Sequence, residues 1–328
     1  MGPRFLLLIS VAVMGLVSFL FTGHPELSWP LGQVDDYLLN ILILAGINVI
    51  LAVSLNIVNG HTGQFSLGHA GFMAVGAYGS ATLTQINGKV FLADLSFLGN
   101  AAPTGLFVLS LLAGGVFAAL AGLAVGLPSL RLKGDYLAIV TLGFGEIIRV
   151  MIQNTESLGG ARGLAGIPPH TSLGWTWGIS LLAIYCVGSL VNSTYGRGFL
   201  AVRDDEIAAE AMGVNTTRYK VTAFVVGAFF AGLAGALYAH FIGYITPEGF
   251  SFLKSVDVVV MVILGGMGST AGVTVAAIGL TFLNEALREA EQYRMVAFAL
   301  LLIILMITRP QGLLGGLGRW LPGKGGKP

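Results

Sequence analysis

Few side chains in this sequence are equipped for chemistry. The first group lies in NIVNGHTGQFSLGHAGF, where Asn56, Asn59, His61, Gln64, Ser66 and His69 are interspersed with Gly60, Gly63, Gly68 and Gly71. Two histidines eight residues apart across a Gly-rich break match no recognised metal-ligand spacing. These residues therefore read as polar lining, not as a metal site. The second group is LGGMGSTAG, with Gly265, Gly266, Gly268, Ser269 and Gly272. Neither stretch is a phosphate-binding loop, because no G-x-x-x-x-G-K-[ST] occurs, and the chain has no visible means of binding ATP itself. No serine stands in a G-x-S-x-G context. The third group is Glu146 with Arg149, three residues apart on one face of an apolar segment. The single cysteine, Cys186, sits inside another apolar segment, allows no intrachain disulfide, and reads as a buried inert thiol. No catalytic set, metal site or cofactor follows from any of these.

The fourth group is of another kind. Within the charged stretch 194–220, residues Asp205 to Met212 read as a short helix. Asp204 or Asp205 can cap it by accepting from free backbone N–H groups. Glu206 adds favourable negative charge to its first turn, and Gly213 stands where a left-handed C-cap wants glycine. Ile207, Ala208, Ala211 and Met212 share one face by helical periodicity, leaving an acidic face elsewhere. A two-turn helix is marginal alone, so it needs a partner. A lipid surface is the bland choice, but the acidic centre of the helix argues against a negatively charged leaflet and for a protein.

The elements that carry these groups are set by composition. The 328 residues are 55% hydrophobic and only 10% charged, with 48 glycines. Soluble domains carry about a quarter charged residues, so a water-facing surface cannot be clothed here. Glycine-rich apolar segments suit close helix packing in lipid, and a net charge of +1 gives no reason to expect nucleic acid. Stretches near the 20 residues a spanning helix requires fall at about 5–21, 37–58, 66–86, 104–127, 135–153, 177–193, 220–243, 255–267, 270–286 and 294–308. The run at 5–21 follows Arg4, lacks an evident cleavage site, and reads as a retained first span, not a signal peptide. The spans at 255–267 and 270–286 are short: two tilted spans or a re-entrant pair. The expected fold is an all-α integral membrane protein, a polytopic bundle of eight to ten spans with Gly-broken or re-entrant helices. It forms a single domain over 1–328, with an extra N-terminal span and outer loop over 1–36 and a flexible basic tail over 315–328.

An even count puts both termini on one side. With the termini inside, Arg4, Arg131, Lys133, Arg197, Arg203, Arg218, Lys220, Arg309, Arg319, Lys324 and Lys327 are inside, while Lys89, Arg162, Lys254, Arg288 and Arg294 are outside. The excess of inner cations favours cytoplasmic termini and a cytoplasmic 194–220 loop. The outer stretch 154–176 is broken by Gly159, Gly160, Gly163, Gly166, Pro168 and Pro169. Paired glycine interruptions in the two halves point to a pathway in repeat-built transporters, whereas the plain alternative is a pair of tight turns between antiparallel spans. Glu146 and Arg149, placed within a span, suggest gating by default, against a self-neutralising i,i+3 pair facing the bundle.

Six stretches in one order then give a resemblance: GQFSLGHAGFMAVGAY, RLKGDYLAIVTLGFGEIIR, YGRGFLAVRDDEIAAEAMGVNTTRYK, AFFAGLAGALYAH, VVVMVILGGMGSTAG and RPQGL. Together they resemble the LivM-type permeases of ABC importers for branched-chain amino acids, from about residue 37 to 314. The resemblance implies an ABC importer permease in a bacterial cytoplasmic (inner) membrane, working with a second homologous permease subunit, two cytoplasmic ATPases that hydrolyse ATP, and a periplasmic substrate-binding protein. EIAAEAMG resembles the family's ATPase-docking loop, which places docking on Glu206, Ala208, Ala209, Glu210, Ala211 and Gly213, flanked by Arg203, Asp204 and Asp205. The pathway expectation covers Gln64, Ser66, His69, Glu146, Arg149, Gly265, Gly266 and Gly268. The same machine with another cargo, such as urea, short amides or aromatic acids, is the nearest alternative. An intramembrane enzyme would show activity without ATPases, and a passive channel would show flux without ATP.

Overall fold

The computed structural model describes residues 36–86, 102–129 and 134–288, with positions 296, 300 and 303 besides. The expected span at 5–21, nearly all of that at 294–308, the loop segment Arg131 to Lys133 and the basic tail lie outside the described residues. The remainder is helical: α1 (Asp36–Asn56), α2 (His69–Ile86), α3 (Ala102–Ser129), α4 (Asp135–Gln153), α5 (Leu173–Val191), α6 (Gly196–Asp204), α7 (Glu206–Ala211), α8 (Thr216–Ile242), α9 (Phe252–Gly265) and α10 (Thr270–Ala286). Five of these helical runs are long and apolar enough to cross a membrane: Asp36–His61, Pro103–Ser129, Tyr136–Gln153, Leu173–Val191 and Thr216–Ile242.

Glycine lets the central helices meet backbone to backbone. A Cβ on Gly76 of α2 would strike the backbone of Gly232 in α8, and one on Gly235 would strike the carbonyl of Met73. Gly114 of α3 closes the trio, 2.7 Å from the Gly76 carbonyl at its would-be Cβ. With no hydrophobic drive between helices in lipid, such close van der Waals packing holds a bundle together. α1 sits at the centre: Ala45, Val49, Ile50, Ala52, Val53 and Leu55 are all at or near zero exposure. α4 lies at the periphery, with Tyr136, Ile139, Ile147 and Met151 exposed.

The two ends of the bundle differ. At one end α6, α7 and the start of α8 cluster. At the other, β1 (Leu164–Ala165) pairs antiparallel with β2 (Tyr244–Ile245), and His240 Nδ1 lies 2.9 Å from the Pro168 carbonyl. The glycines at 159, 160, 163 and 166 all have positive φ in this cap, as the broken character of 154–176 foretells.

The pass through 255–267 is short, as its apolar length in the sequence indicates. α9 has 14 residues, about 21 Å at 1.5 Å per residue, short of a hydrocarbon core of about 30 Å. The chain reaches it from the far end along β2 and a 3-10 turn at Pro247–Phe250. The Ser255 hydroxyl of α9 accepts from Ala70 N at 3.0 Å. Next door, Leu67 N donates to Thr141 Oγ1 at 3.1 Å, seven residues into α4. The N-termini of α2 and α9 therefore meet inside the bundle, and only part of the α9 pass is helical. Lys254, expected in an outer loop, instead lies on the first turn of α9 and donates to Asn48 Oδ1 of mid-α1 at 3.2 Å. Asn48 in turn donates to Thr281 Oγ1 of α10 at 3.0 Å.

Candidate functional site

The structure brings the two glycine interruptions together. α1 runs into a π-helical turn over Ile57–His61, α9 ends at Gly265, and Gly266 to Ser269 turns the chain into α10. Gly268 N donates to Asn56 Oδ1 at 2.9 Å. A Cβ on Gly60 would collide with that same Asn56 oxygen and with the Gly268 backbone. Gly266 (φ 94°) and Gly268 (φ 86°) adopt conformations that other residues rarely take, and Gly265 packs on Gly272 and Val273 where no side chain would fit. Two segments some 200 residues apart thus form one joint.

Ser66 N donates to Asn59 Oδ1 at 3.1 Å, closing the loop that follows the π turn. Gln64 and Ser66 are 5% and 1% exposed. His69 is buried too, its Nε2 2.8 Å from Ser54 Oγ within the core of α1 and α2. The expected pathway residues therefore fall into two settings. Gln64, Ser66, His69, Gly265, Gly266 and Gly268 belong to the joint and the start of α2. Glu146 and Arg149 lie apart, on the peripheral helix α4. There the Glu146 carboxylate Oε2 accepts from Arg149 Nε and Nη2, both at 2.7 Å, with the side chains 33% and 25% exposed. Beside Glu146 lies a shallow recess, lined by Leu67, Ala70, Gly145, Phe250 and Ser255 among others. It lies where the N-termini of α2 and α9 meet α4.

The short helix forms where the sequence places it. Asp205 caps α7, its Oδ1 accepting from Ile207 N (2.9 Å) and Ala208 N (3.0 Å). Gly213 has φ 82°, Gly213 N donates to Glu210 O and Val214 N to Ala209 O. This pairing satisfies the last carbonyls in a Schellman motif. Ala209 is buried, while Ala208 and Ala211 are exposed. The acidic residues, however, are used at home. Glu206 Oε1 pairs with Lys220 Nζ of α8 at 2.7 Å, and Glu210 Oε1 accepts from Thr216 Oγ1 at 2.7 Å. What the helix offers outward is apolar: Ile207 is 72% and Met212 84% exposed. Glu210 thus has a structural partner that the sequence view of a free solvent-facing acid omits.

Arg203 joins the two regions. It stands in the last turn of α6, two residues before the cap of α7, lies 3.0 Å from Asp204 Oδ1 through Nη2, and reaches the Gly60 carbonyl with Nη1 at 3.5 Å. Sequence reasoning placed Arg203 beside the docking helix and missed its reach into the joint. Asn56 and Asn59, named among the polar residues of the first break, were left out of the pathway set, although asparagines three residues apart in an apolar span were a usable signal. Lys220, treated only as a loop cation, carries no mark in sequence of its partner Glu206.

Comparison with known proteins agrees with this architecture. Residues 37–307 match the family described as branched-chain amino acid transport system / permease component. The chain is 37% identical over 322 residues to the high-affinity branched-chain amino acid transport system permease protein LivM of Escherichia coli (strain K12), covering 88% of this chain and 72% of the relative. It is 32% identical over 143 residues to LivH of the same organism, covering 42% of this chain and 46% of LivH. It is 33% identical over 120 residues to the autoinducer 2 import system permease protein LsrC of Photorhabdus luminescens, covering 35% and 36%. No solved structure matches. With most of its length matched by one family and its helices long and apolar enough to span a membrane, the chain belongs to the branched-chain amino acid transport system permease family.

Proposed function

We propose that this chain is one of two related permease halves of an ATP-driven importer for branched-chain amino acids in a cytoplasmic membrane. A periplasmic binding protein delivers the cargo and two cytoplasmic ATPases drive its release. The names of the relatives supply the cargo class, and their presence as LivM and LivH supports a second, homologous permease beside this one. The observation that carries the coupling is the geometry of α7: capped at both ends, tied down through Glu206–Lys220, and turning Ile207 and Met212 outward. A helix so fastened transmits a push as a rigid unit, and the largest exposed side chains it offers a partner, Ile207 and Met212, are apolar. Arg203, two residues from its cap, carries that displacement to the joint.

The pathway runs along the side of the bundle where the recess lies. An ion pair such as Glu146–Arg149 at membrane depth is costly against hydrocarbon, and its partial exposure on α4 marks the face that a second permease or water covers. Ligand-driven closure of the ATPases then shifts the population between inward-facing and outward-facing states.

Copurification tests the docking assignment. Ile207→Asp and Met212→Asp remove the apolar face without touching the Asp205 cap or the Glu206–Lys220 pair. Each is expected to leave the permease in the membrane while lowering recovery of the ATPases and substrate-stimulated ATP turnover at least tenfold. Wild-type recovery and turnover in both variants would send the docking role elsewhere, to the Arg131 to Asp135 segment.

A further inference from the structure

We propose that the joint of the two glycine breaks is a carboxylate-binding site for the cargo, made from side-chain donors of the first break. This rests on the importer reading above and gives it a chemistry.

Buried polar atoms at the joint lack hydrogen-bond partners. Asn56 Oδ1 accepts from Gly268 N and Asn59 Oδ1 accepts from Ser66 N. A backbone N–H can only donate, so both contacts fix the amide orientation: oxygen to backbone, NH₂ to the other side. Both NH₂ groups then lack a partner, in residues 0% and 5% exposed. Ser66 Oγ, both ring nitrogens of His61 and both ends of the Gln64 amide are buried without partners as well. Native proteins leave few buried polar atoms unsatisfied, since each has given up its hydration with nothing in return. Here such atoms crowd into eleven consecutive residues, on the one stretch where α1 abandons regular helix.

What fills these bonds follows from the inventory. The two asparagine NH₂ groups donate, as can the Gln64 NH₂, the Ser66 hydroxyl and a His61 ring N–H. No Asp or Glu belongs to the set, so a metal ion or ammonium finds no charge to bind. The nearest formal charge is the Arg203 guanidinium, 3.5 Å from the Gly60 carbonyl. Its companion Asp204 has a side chain 69% exposed. A surplus of donors under a guanidinium selects an anionic acceptor, and of the charged ends of an amino acid that is the carboxylate. The donors are closed off in this conformation, and Arg203, two residues from the α7 cap, reaches the joint that closes them. Displacement of α7 that withdraws Arg203 from Gly60 would open the site, so its availability follows the docking state.

The test uses the complex copurified from native membranes, washed free of binding protein and placed in nanodiscs. Radiolabelled leucine is displaced with unlabelled leucine or with leucinamide, which keeps the ammonium and alkyl groups but lacks the carboxylate. Leucinamide is expected to compete at least tenfold more weakly. Asn59→Asp and Gln64→Glu, each near-isosteric and each adding negative charge, should weaken leucine binding at least tenfold. Membrane content and recovery of the assembled complex check that each variant folds, and two variants guard against one failing to do so. The inference is overturned if the wild-type complex retains no leucine, if leucine and leucinamide compete alike, or if both folded variants bind leucine as before, in which case water alone serves the donors. Vesicle uptake separates the two levels: no leucine uptake by the wild type removes the cargo reading and this inference with it, whereas uptake combined with any of those binding results removes this inference alone.

Discussion

At the residue scale, two residues beside the short helix have roles that separate cleanly. Lys220 is 5% exposed and pairs with Glu206 at 2.7 Å. Removing one partner of a poorly solvated pair leaves the other charge uncompensated, whereas removing both is milder. Lys220→Met should therefore destabilise the α7–α8 corner by about 1–3 kcal/mol, read as faster proteolysis at Arg203 and Arg218 in inside-out vesicles. Adding Glu206→Gln should recover part of the loss. Equal cleavage in the single and double variants would mean that the ion pair does not hold the corner. Gly213 isolates a different term. Its φ is 82°, and a Cβ there would meet nothing within 4 Å, so only backbone conformation opposes substitution. Asparagine tolerates that region and a β-branched residue does not. Gly213→Asn should keep ATPase recovery close to wild type, while Gly213→Val should lower it severalfold, with membrane content of the permease unchanged in both. Identical behaviour of the two variants would show that the left-handed cap is dispensable.

At the element scale, the proposed site lies where helices stop being helices. α1 gives way to a π turn, α2 and α9 begin inside the bundle, and the Gly266 to Ser269 turn locks onto the first break. Gly266 has φ 94° and ψ 111°, which a branched side chain cannot take without strain. Gly266→Leu is expected to abolish uptake in vesicles while insertion and ATPase copurification persist. Wild-type uptake in that variant would reduce the joint to an ordinary turn. Much of this was legible in the sequence. Long apolar runs gave α1, α3, α4, α5 and α8 to within a few residues, because spanning helices leave a compositional trace regardless of their neighbours. The caps of α7 were legible for the same reason: Asp205 and Gly213 act on backbone groups only a few residues away. The meeting of Gly60 with Gly268, the Glu206–Lys220 pair and the descent of the chain into α9 depend on partners far along the chain, for which one sequence carries no register. Lys254 shows the limit plainly: hydropathy counts a lysine as loop, whereas the structure gives it Asn48 as a partner at mid-helix.

At the scale of the whole molecule, the two ends of the bundle decide which way it sits. One end gathers α6, α7, the joint and the cations Arg197, Arg203 and Arg218. The other carries the β1–β2 cap, with Arg162 and Arg288. Lys254, first counted among the outer cations, is withdrawn into the α1–α9–α10 network and no longer counts for the outer side, so the imbalance of positive charge between the ends grows. Since orientation follows Lys and Arg in short loops near the span ends, the α7 end should be cytoplasmic, which is also the only side where ATPases could reach Ile207 and Met212. Single cysteines in a Cys186→Ser background test this directly. Thr216 is buried against Glu210, so the exposed neighbour Thr217 is the better reporter, and Ser157, exposed beside the far-end cap, is its counterpart. In intact cells a membrane-impermeant maleimide should modify Ser157→Cys and spare Thr217→Cys, and in inside-out vesicles the pattern should reverse. Labelling of Thr217→Cys from outside would invert the topology, put the apolar face of α7 in the periplasm, and remove the physical basis for its contact with an ATPase.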